Sequence, residues 1–152
     1  MTSSILTEID SNGIAVLTWD MQDSPVNKLN EESLSDFHKA FQAAVENEKV
    51  KGIVINSAKS DFIVGADLAM LQKMREQTVG ESYAAVMKIH QLFRFMETCK
   101  KPVVAAMDGS TLGGGLEVAL ACHYRVATTN PKLKIGFPEV KLGLFPGAGG
   151  TQ

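Results

Sequence analysis

The sequence predicts an α/β fold with parallel strands, because the same order of elements occurs twice. In the first unit an apolar strand at residues 53–56 leads to a loop with Gly65 and then to a helix. In the second, an apolar strand at residues 103–106 leads to a loop with Gly113 and another helix. Strands that alternate with helices usually lie parallel in one sheet, with the ligand crevice outside their carboxyl ends. Both glycine loops are therefore expected to open toward the same side.

The first half of the chain supplies a hairpin, a helix and a strand. Two short apolar-leaning runs, residues 5–10 and 14–20, flank the turn sequence Ser11-Asn-Gly13 and predict a β-hairpin. From Asn30 to about Glu48, apolar residues recur every three or four positions, which predicts an amphipathic helix. Residues 52–56 are wholly apolar apart from Asn56 and predict a buried strand.

The second half repeats strands and helices. Asp67 has a residue type suited to a helix N-cap, and apolar residues up to Met74 lie on one face of the helix that it starts. The helical spacing continues over residues 79–98. A strand is then predicted at 102–107, a helix from about Gly114 to Cys122, and a last strand at 124–128.

Composition indicates one ordinary folded domain. The chain has 152 residues, of which 45% are hydrophobic and 21% are charged, which is enough for a single domain with its own core. The formal net charge is −2 and there is no long run of Lys or Arg, so a nucleic-acid partner has little electrostatic support. We expect residues 1–152 to form one domain, with no second domain in this chain.

Cysteine usage and the N-terminal sequence indicate a cytoplasmic protein. Cys99 and Cys122 are too few for a disulfide framework and lack the C-x-x-C spacing of a structural zinc site. The N-terminus has neither a secretory nor a transit-peptide pattern, and no apolar run reaches the roughly 20 residues of a membrane span. We therefore expect a reduced cytoplasmic chain without a metal or a membrane span.

The stretch that favours a reaction site is Gly113-Gly-Gly-Leu-Glu117, between a strand and a helix. Glycines 113, 114 and 115 leave backbone N–H groups uncovered by side chains, so an oxyanion can be held there. Glu117 lies in an otherwise apolar helix, where a carboxylate is costly to bury unless it is paired or hydrogen-bonded. The alternative is a charge that reaches solvent and merely favours the helix dipole.

A second candidate carboxylate is Glu139, which follows Pro138 among apolar neighbours. Two carboxylates that flank one substrate can divide general acid and general base work. Taken alone, however, a Glu on a solvated loop is at least as common, and the sequence does not show that Glu117 and Glu139 converge.

Other motifs are weak. Neither glycine cluster has the G-x-G-x-x-G or P-loop pattern of nucleotide-binding loops. The three histidines, His38, His90 and His123, have no ligand-like spacing and are expected to be structural or exposed. Ser110 lacks the G-x-S-x-G frame of a nucleophile elbow.

With these residues in place, the chain resembles the enoyl-CoA hydratase/isomerase (crotonase) superfamily, most closely the N-terminal hydratase part of the multifunctional fatty-acid oxidation α-subunits. The likeness covers nearly the whole chain. Its specific motifs are Phe62-Ile-Val-Gly-Ala-Asp67, Asp108-Gly-Ser-Thr-Leu-Gly-Gly-Gly-Leu-Glu117, Phe137-Pro-Glu139 and Leu142-Gly-Leu-Phe-Pro-Gly-Ala-Gly-Gly-Thr-Gln152.

The resemblance implies a crotonase-type spiral of ββα units and a role for each site residue. The backbone N–H groups of Ala66 and Gly114 would form an oxyanion hole for an acyl-CoA thioester, while Glu117 would activate water and Glu139 would donate a proton to Cα. The neighbours of the two N–H groups would complete the substrate-binding loops: Gly65, Asp67, Gly113 and Gly115. The implied reaction is hydration of a 2-enoyl-CoA without metal or organic cofactor. An enoyl-CoA isomerase and a non-catalytic assembly module of the same fold are the alternatives.

The end of the chain bears on the parent protein. Thr151 has a residue type suited to a helix N-cap, yet no helix follows it, so we expect a spiral that is incomplete at the C-terminus and low turnover from residues 1–152 alone. The resemblance further implies an NAD-dependent dehydrogenase in a later region of the parent chain. It also implies an oligomer or a complex with a thiolase β-subunit.

Overall fold

The computed structural model describes residues 3–152, apart from the side chain of Arg75. Its strands are β1 (Ile5–Ile9), β2 (Ile14–Trp19), β3 (Gly52–Ser57), β4 (Val103–Met107), β5 (Thr111–Leu112), β6 (Tyr124–Ala127) and β7 (Ile135–Gly136). Its helices are α1 (Glu31–Glu46), α2 (Leu68–Glu76), α3 (Val79–Thr98) and α4 (Gly114–Leu120), followed by a 3₁₀ turn at Glu139–Leu142.

The main sheet has five strands in the order β1-β2-β3-β4-β6. The predicted hairpin is present, since β1 pairs antiparallel with β2 and Ile5 lies opposite Trp19. The strands β2, β3, β4 and β6 are parallel, with Ile53 opposite Val103 in the middle of the sheet. The predicted α/β sheet with parallel strands is confirmed, and the carboxyl ends of its parallel strands share one edge.

Helix α1 packs on the sheet through aromatic side chains. The rings of Trp19 and Phe37 stack with centroids 5.0 Å apart, and Phe41 meets Phe95 of α3 edge-on at 5.4 Å. Helix α1 begins with a capping box in which the side chain of Asn30 accepts a hydrogen bond from the backbone N–H of Ser33. These rings are part of the apolar core between the helical layer and the sheet.

Helix ends are the main departures from the predicted elements. Helix α1 ends at Glu46 rather than near Glu48, and α4 ends at Leu120 rather than at Cys122. At the end of α4, Nη1 of Arg125 donates hydrogen bonds to the carbonyls of Ala119 and Cys122, so a side chain from β6 satisfies groups that a longer helix would use.

A small second sheet was not predicted from the sequence. Strands β5 and β7 pair in parallel, with Thr111 opposite Ile135, and each contains two residues. Isolated bridges join Leu29 to Ala66 and Ile63 to Thr111. Two residues are too few to show the alternation of apolar and polar residues that predicts a strand. Such strands are therefore identified only from their pairing in the structure. They tie the loops after β3 and β4 to each other.

Three further observations concern the residues that the structure describes. None of their helices has both the length and the apolar character needed to cross a membrane. Within the same residues, His, Cys, Asp and Glu side chains form no group of three that could hold a metal ion. Cys99 and Cys122 are both free thiols.

Candidate active site

The loop after β3 fixes the direction of the Ala66 N–H. Gly65, at a φ of 100°, has its carbonyl held by the N–H of Leu29 at 2.9 Å. In a trans peptide the C=O and N–H point in opposite directions, so this contact turns the Ala66 N–H away from Leu29. Among the described residues nothing accepts a hydrogen bond from that N–H, and Ala66 lines the main cavity. The group is available to a ligand.

The loop after β4 presents a second N–H. Gly113, at a φ of 54°, donates its own N–H to the carbonyl of Gly136 at 3.0 Å. Its carbonyl accepts from the N–H groups of Leu116 and Glu117 in the first turn of α4. The N–H of Gly114 is left without an acceptor in the described part of the chain, as is usual at a helix N-terminus.

The two loops lie against each other and both line the cavity, so they open toward the same side, as the sequence predicted. A Cβ added to Gly113 would lie 3.6 Å from Cα of Gly65, and one added to Gly115 would lie 2.2 Å from the carbonyl oxygen of Ile63. The start of α4 therefore packs backbone to backbone on the loop after β3. Only glycine at 115 permits this approach.

Glu117 is buried in α4, with 5% of its surface exposed. Its Oε1 accepts hydrogen bonds from the N–H of Ala148 at 2.7 Å and of Gly150 at 2.9 Å. These bonds offset the cost of burying a carboxylate. Its Oε2 accepts none from the described residues and lies 3.8 Å from where a Cβ on Gly114 would be. The alternative that the sequence left open, in which the Glu117 side chain reaches solvent, is therefore wrong.

Glu139 is the first residue of the 3₁₀ turn and is half-buried. Its Oε1 lies 2.9 Å from the position that a Cβ on Gly113 would take. Its Oε2 is buried and has no hydrogen-bond partner among the described residues. A buried polar atom without a partner calls for an explanation, and one beside a cavity is open to a ligand. Glu139 is thus not on a solvated loop, and it converges with Glu117 on the Gly113–Gly114 peptide.

These polar groups line one cavity of about 660 Å³. Much of the rest of its wall is apolar and comes from α2, α3, the end of the 3₁₀ turn and the segment after it: Leu68, Met70, Leu71, Met74, Val86, Ile89, Leu142, Leu144 and Phe145. A cavity with apolar walls and a few convergent polar groups is typical of a small-molecule site. The apolar spacing of residues 68–74 and 79–98 predicted helical faces but not that these faces line a pocket.

Asp67 has the N-cap role that the sequence suggested. Its Oδ1 accepts from the N–H of Ala69 at 2.8 Å, and its Oδ2 lies 2.6 Å from Nζ of Lys28. The hydrogen bond from Lys28, aided by the bond from Ala69, holds the pKa of Asp67 below its usual value of 3.8. The pair stands at the side of the cavity, because both residues line it.

Comparisons with known proteins identify the family of the chain. The profile of a family described as enoyl-CoA hydratase/isomerase matches residues 10–152. The match covers nearly the whole chain, and the chain belongs to this family.

Two relatives with similar sequences are both named as the alpha subunit of a fatty acid oxidation complex. The chain is 40% identical over 149 residues to the fatty acid oxidation complex subunit alpha of Acinetobacter baylyi, with 98% of this chain covered. It is 42% identical over 142 residues to the protein of the same name from Shewanella oneidensis, with 93% covered. The chain spans 20% of the length of each of these relatives.

Solved structures match across the chain as well. An enoyl-CoA hydratase from Thermoplasma volcanium superposes with a TM-score of 0.86 at 28% identity, over 98% of this chain and 57% of that one. An enoyl-CoA hydratase from Bacillus anthracis gives a TM-score of 0.85 at 26% identity, over 99% and 56%. The predicted crotonase-type α/β fold is confirmed.

Proposed function

We propose that the chain is the hydratase portion of a fatty-acid oxidation α-subunit and adds water across the 2,3 double bond of a 2-enoyl-CoA, giving 3-hydroxyacyl-CoA. One observation carries the proposal. The carboxylate of Glu117 lies beside Gly114, and that of Glu139 lies beside Gly113. Close to them, the backbone N–H groups of Ala66 and Gly114 have no acceptor in the described part of the chain. This arrangement suits addition of a nucleophile to a polarised thioester.

The N–H groups of Ala66 and Gly114 would bind the thioester oxygen. When water adds at C3, negative charge builds on that oxygen as an enolate forms. Donors already aimed at the developing charge stabilise it without reorganisation, and each is worth about 3–4 kcal/mol where one has been removed from other enzymes. The contacts that hold Gly65 and Gly113 in place supply the required rigidity.

The carboxylates would divide the proton transfers. As the water oxygen bonds to C3, Oε2 of Glu117 takes a proton from that water, while Oε1 stays on the N–H groups of Ala148 and Gly150. Glu139, whose Oε2 has no partner among the described residues, then donates a proton to C2 as the enolate returns to a thioester. The hydroxyl of the water is thus on C3, its proton is on Glu117 and the proton of Glu139 is on C2; exchange of one proton between the two carboxyls through solvent restores the site. No metal or organic cofactor takes part in this step.

The test is Glu117→Gln in the full-length protein, with hydration of crotonyl-CoA followed by loss of absorbance of its conjugated double bond. Glutamine keeps the size of the side chain but cannot take the proton, so kcat should fall by at least about a hundredfold. Binding of an acyl-CoA should be retained. Glu48→Gln, an exposed change in the turn after α1, is the matched control. Hydration by Glu117→Gln near the parental rate would contradict the assignment.

The same variant separates hydration from isomerisation. Moving a proton between C2 and C4 needs one carboxylate, which Glu139 can provide, whereas adding water uses two. Glu117→Gln should therefore lose hydration more severely than any isomerisation of 3-enoyl-CoA, and Glu139→Gln should impair both. If the full-length protein neither hydrates nor isomerises, it is an assembly module, and the proposed function is wrong.

The parent protein is part of the same proposal. The relatives are named as α-subunits of a complex, and this chain matches 20% of their length. We propose an NAD-dependent 3-hydroxyacyl-CoA dehydrogenase elsewhere in the parent chain, a thiolase β-subunit or further copies as partners, and a cytoplasmic location. Co-purification from cell extract and NAD reduction with 3-hydroxyacyl-CoA would test these points together.

A further inference from the structure

His90 makes a polar contact that the hydration chemistry does not use. This half-buried residue lies on α3, and its Nε2 is 2.9 Å from the carbonyl oxygen of Gly147. A carbonyl oxygen only accepts hydrogen bonds, so Nε2 carries a hydrogen and donates it. The contact joins α3 to the glycine-rich segment that follows the 3₁₀ turn.

The peptide that His90 contacts also holds Glu117. The carbonyl of the Gly147–Ala148 peptide accepts from His90, and the N–H of the same peptide donates to Oε1 of Glu117 at 2.7 Å. The two groups of a trans peptide point in opposite directions, so one rigid plane bridges the imidazole and the carboxylate. A hydrogen bond at the carbonyl also polarises the peptide and strengthens its N–H as a donor.

The segment needs anchors because its backbone is permissive. Gly147, Gly149 and Gly150 are three of its four residues from 147 to 150, and Gly149 has a φ of 115°. Glycine loses more conformational freedom on ordering than any other residue. The ring of Phe137 restrains the far end, since a Cβ on Gly150 would lie 2.5 Å from its Cζ. His90 restrains the near end.

We propose that His90 is a positioning residue for hydration. By holding the Gly147 carbonyl, it aims the Ala148 N–H at Oε1 of Glu117, which fixes the carboxylate and leaves Oε2 to face the water. The inference rests on the proposed function for the role of Glu117, but the contact between His90 and the segment can be tested independently.

The kinetic test compares His90→Leu, His90→Gln and Gln91→Leu in the full-length protein. Leucine removes the donor, so kcat for crotonyl-CoA should fall between about tenfold and a hundredfold, as expected for a misplaced catalytic group. KM should stay within about twofold, because Ala66, Gly114 and the apolar walls still bind the substrate. Glutamine places an N–H₂ donor near the position of Nε2 and should restore most of kcat. Gln91→Leu, on the next, exposed position of α3, should behave as parent.

A second readout does not depend on activity. Hydrogen–deuterium exchange measured by mass spectrometry over residues 144–152 should be faster in His90→Leu than in the parent, and unchanged in His90→Gln and Gln91→Leu. If His90→Leu does not fold, His90→Asn takes its place, since its amide is one methylene too short to reach Gly147.

Each outcome bears on one statement. Parental kcat in His90→Leu, or equal losses in His90→Leu and His90→Gln, would overturn the positioning role. Unchanged exchange in His90→Leu would overturn the contact itself. No hydration by the parent would instead contradict the proposed function, and the exchange comparison would then still decide whether His90 anchors the segment.

Discussion

The loops after β3 and β4 bring to the cavity the N–H groups of Ala66 and Gly114, which have no acceptor in the described part of the chain, but the two loops are held in different ways. Side chains and a neighbouring segment hold the first loop: Leu29 binds the Gly65 carbonyl, and Asp67 caps α2 while pairing with Lys28. The second loop has no side-chain cap at α4. Backbone contacts hold it instead: the N–H of Gly113 donates to the carbonyl of Gly136, and Gly115 packs closely on the backbone of Ile63.

Because the two loops are held differently, they should tolerate different substitutions. A loop held by several hydrogen bonds can lose one of them and keep its course, because each is worth about 1 kcal/mol. A loop held by a backbone approach has no room for even one added methyl group. A single substitution in the second loop should therefore greatly lower the free energy of unfolding, whereas one in the first loop should lower it only a little.

Gly115→Ala is the largest expected effect. The new Cβ would meet the Ile63 carbonyl at 2.2 Å, and neither backbone can move without opening the core. The free energy of unfolding should fall by about 3 kcal/mol or more, measured by urea denaturation. Gly80→Ala is the matched control, because a Cβ there meets nothing within 4 Å and alanine favours the α3 helix. Equal stability of the two variants would refute the backbone-contact account.

Cys122 gives a local readout of the same change. Its thiol is buried just beyond α4, donates to the carbonyl of Val118, and has its pKa raised by burial to about 12. In the parent an alkylating reagent should label the half-buried Cys99 first. Gly115→Ala should expose Cys122 to labelling, and continued protection there would show that α4 has stayed in place.

Asn27→Ala should have an intermediate effect, on the loop after β3. The buried Asn27 amide donates to the Trp19 carbonyl and to Ser57, and its Oδ1 accepts from the N–H of Met21. Alanine removes these bonds and leaves the N–H of Met21 without its acceptor, whereas the Trp19 carbonyl still accepts from the N–H of Ala58 and the Ser57 hydroxyl still donates to the carbonyl of Asp61. The free energy of unfolding should therefore fall by about 2 kcal/mol. The backbone carbonyl of Asn27, which binds the Val64 N–H, is retained.

Asn12→Ala in the exposed hairpin turn is the control for that change. It should be nearly neutral in the same urea titration. A loss as large as that of Asn27→Ala would mean that burial of the amide is not the source of its contribution.

Asp67→Ala should have a smaller effect than Asn27→Ala. Loss of the α2 N-cap should cost about 1 kcal/mol in the free energy of unfolding at neutral pH. Because the pKa of Asp67 is lowered in the folded protein, its contribution is complete above the ordinary carboxyl pKa of 3.8 and is lost as the pH falls through the folded value. The difference between parent and variant should therefore shrink in acid.

Lys28→Ala separates the two contacts of Asp67, since it removes the ion pair and leaves the cap. It should cost less than Asp67→Ala, because partly exposed pairs contribute little. A pH-independent difference between the parent and Asp67→Ala would contradict the linkage.

The elements of the fold were predictable wherever apolar residues recur at a regular spacing in the sequence. The bounds predicted for α3, 79–98, match those observed, because its apolar face recurs over twenty residues. Strands β5 and β7 have two residues each and carry no such period. Their pairing depends on the loops that they join, so it became visible only in three dimensions.

The site was predictable only in part, and for a physical reason. Apolar neighbours in one helix indicate that Glu117 is buried, and this is a local property of the sequence. Its hydrogen-bond partners Ala148 and Gly150 lie 31 and 33 residues further on, in a segment without period. The meeting of Glu117 with Glu139 likewise depends on β7 following β5 in register, which no local pattern encodes. The roles of both residues remain predictions.

The long separation between Glu117 and the amides that hold it has a consequence for biosynthesis. A ribosome makes the helix with its carboxylate well before it makes Ala148 and Gly150. Until those residues leave the exit tunnel, water must supply the hydrogen bonds to the Glu117 carboxylate. Packing α4 against the core before then would bury the carboxylate without its hydrogen-bond donors. The nascent chain should thus keep this helix undocked while β1 to β4 assemble, and the glycine segment would then fix the carboxylate when it forms.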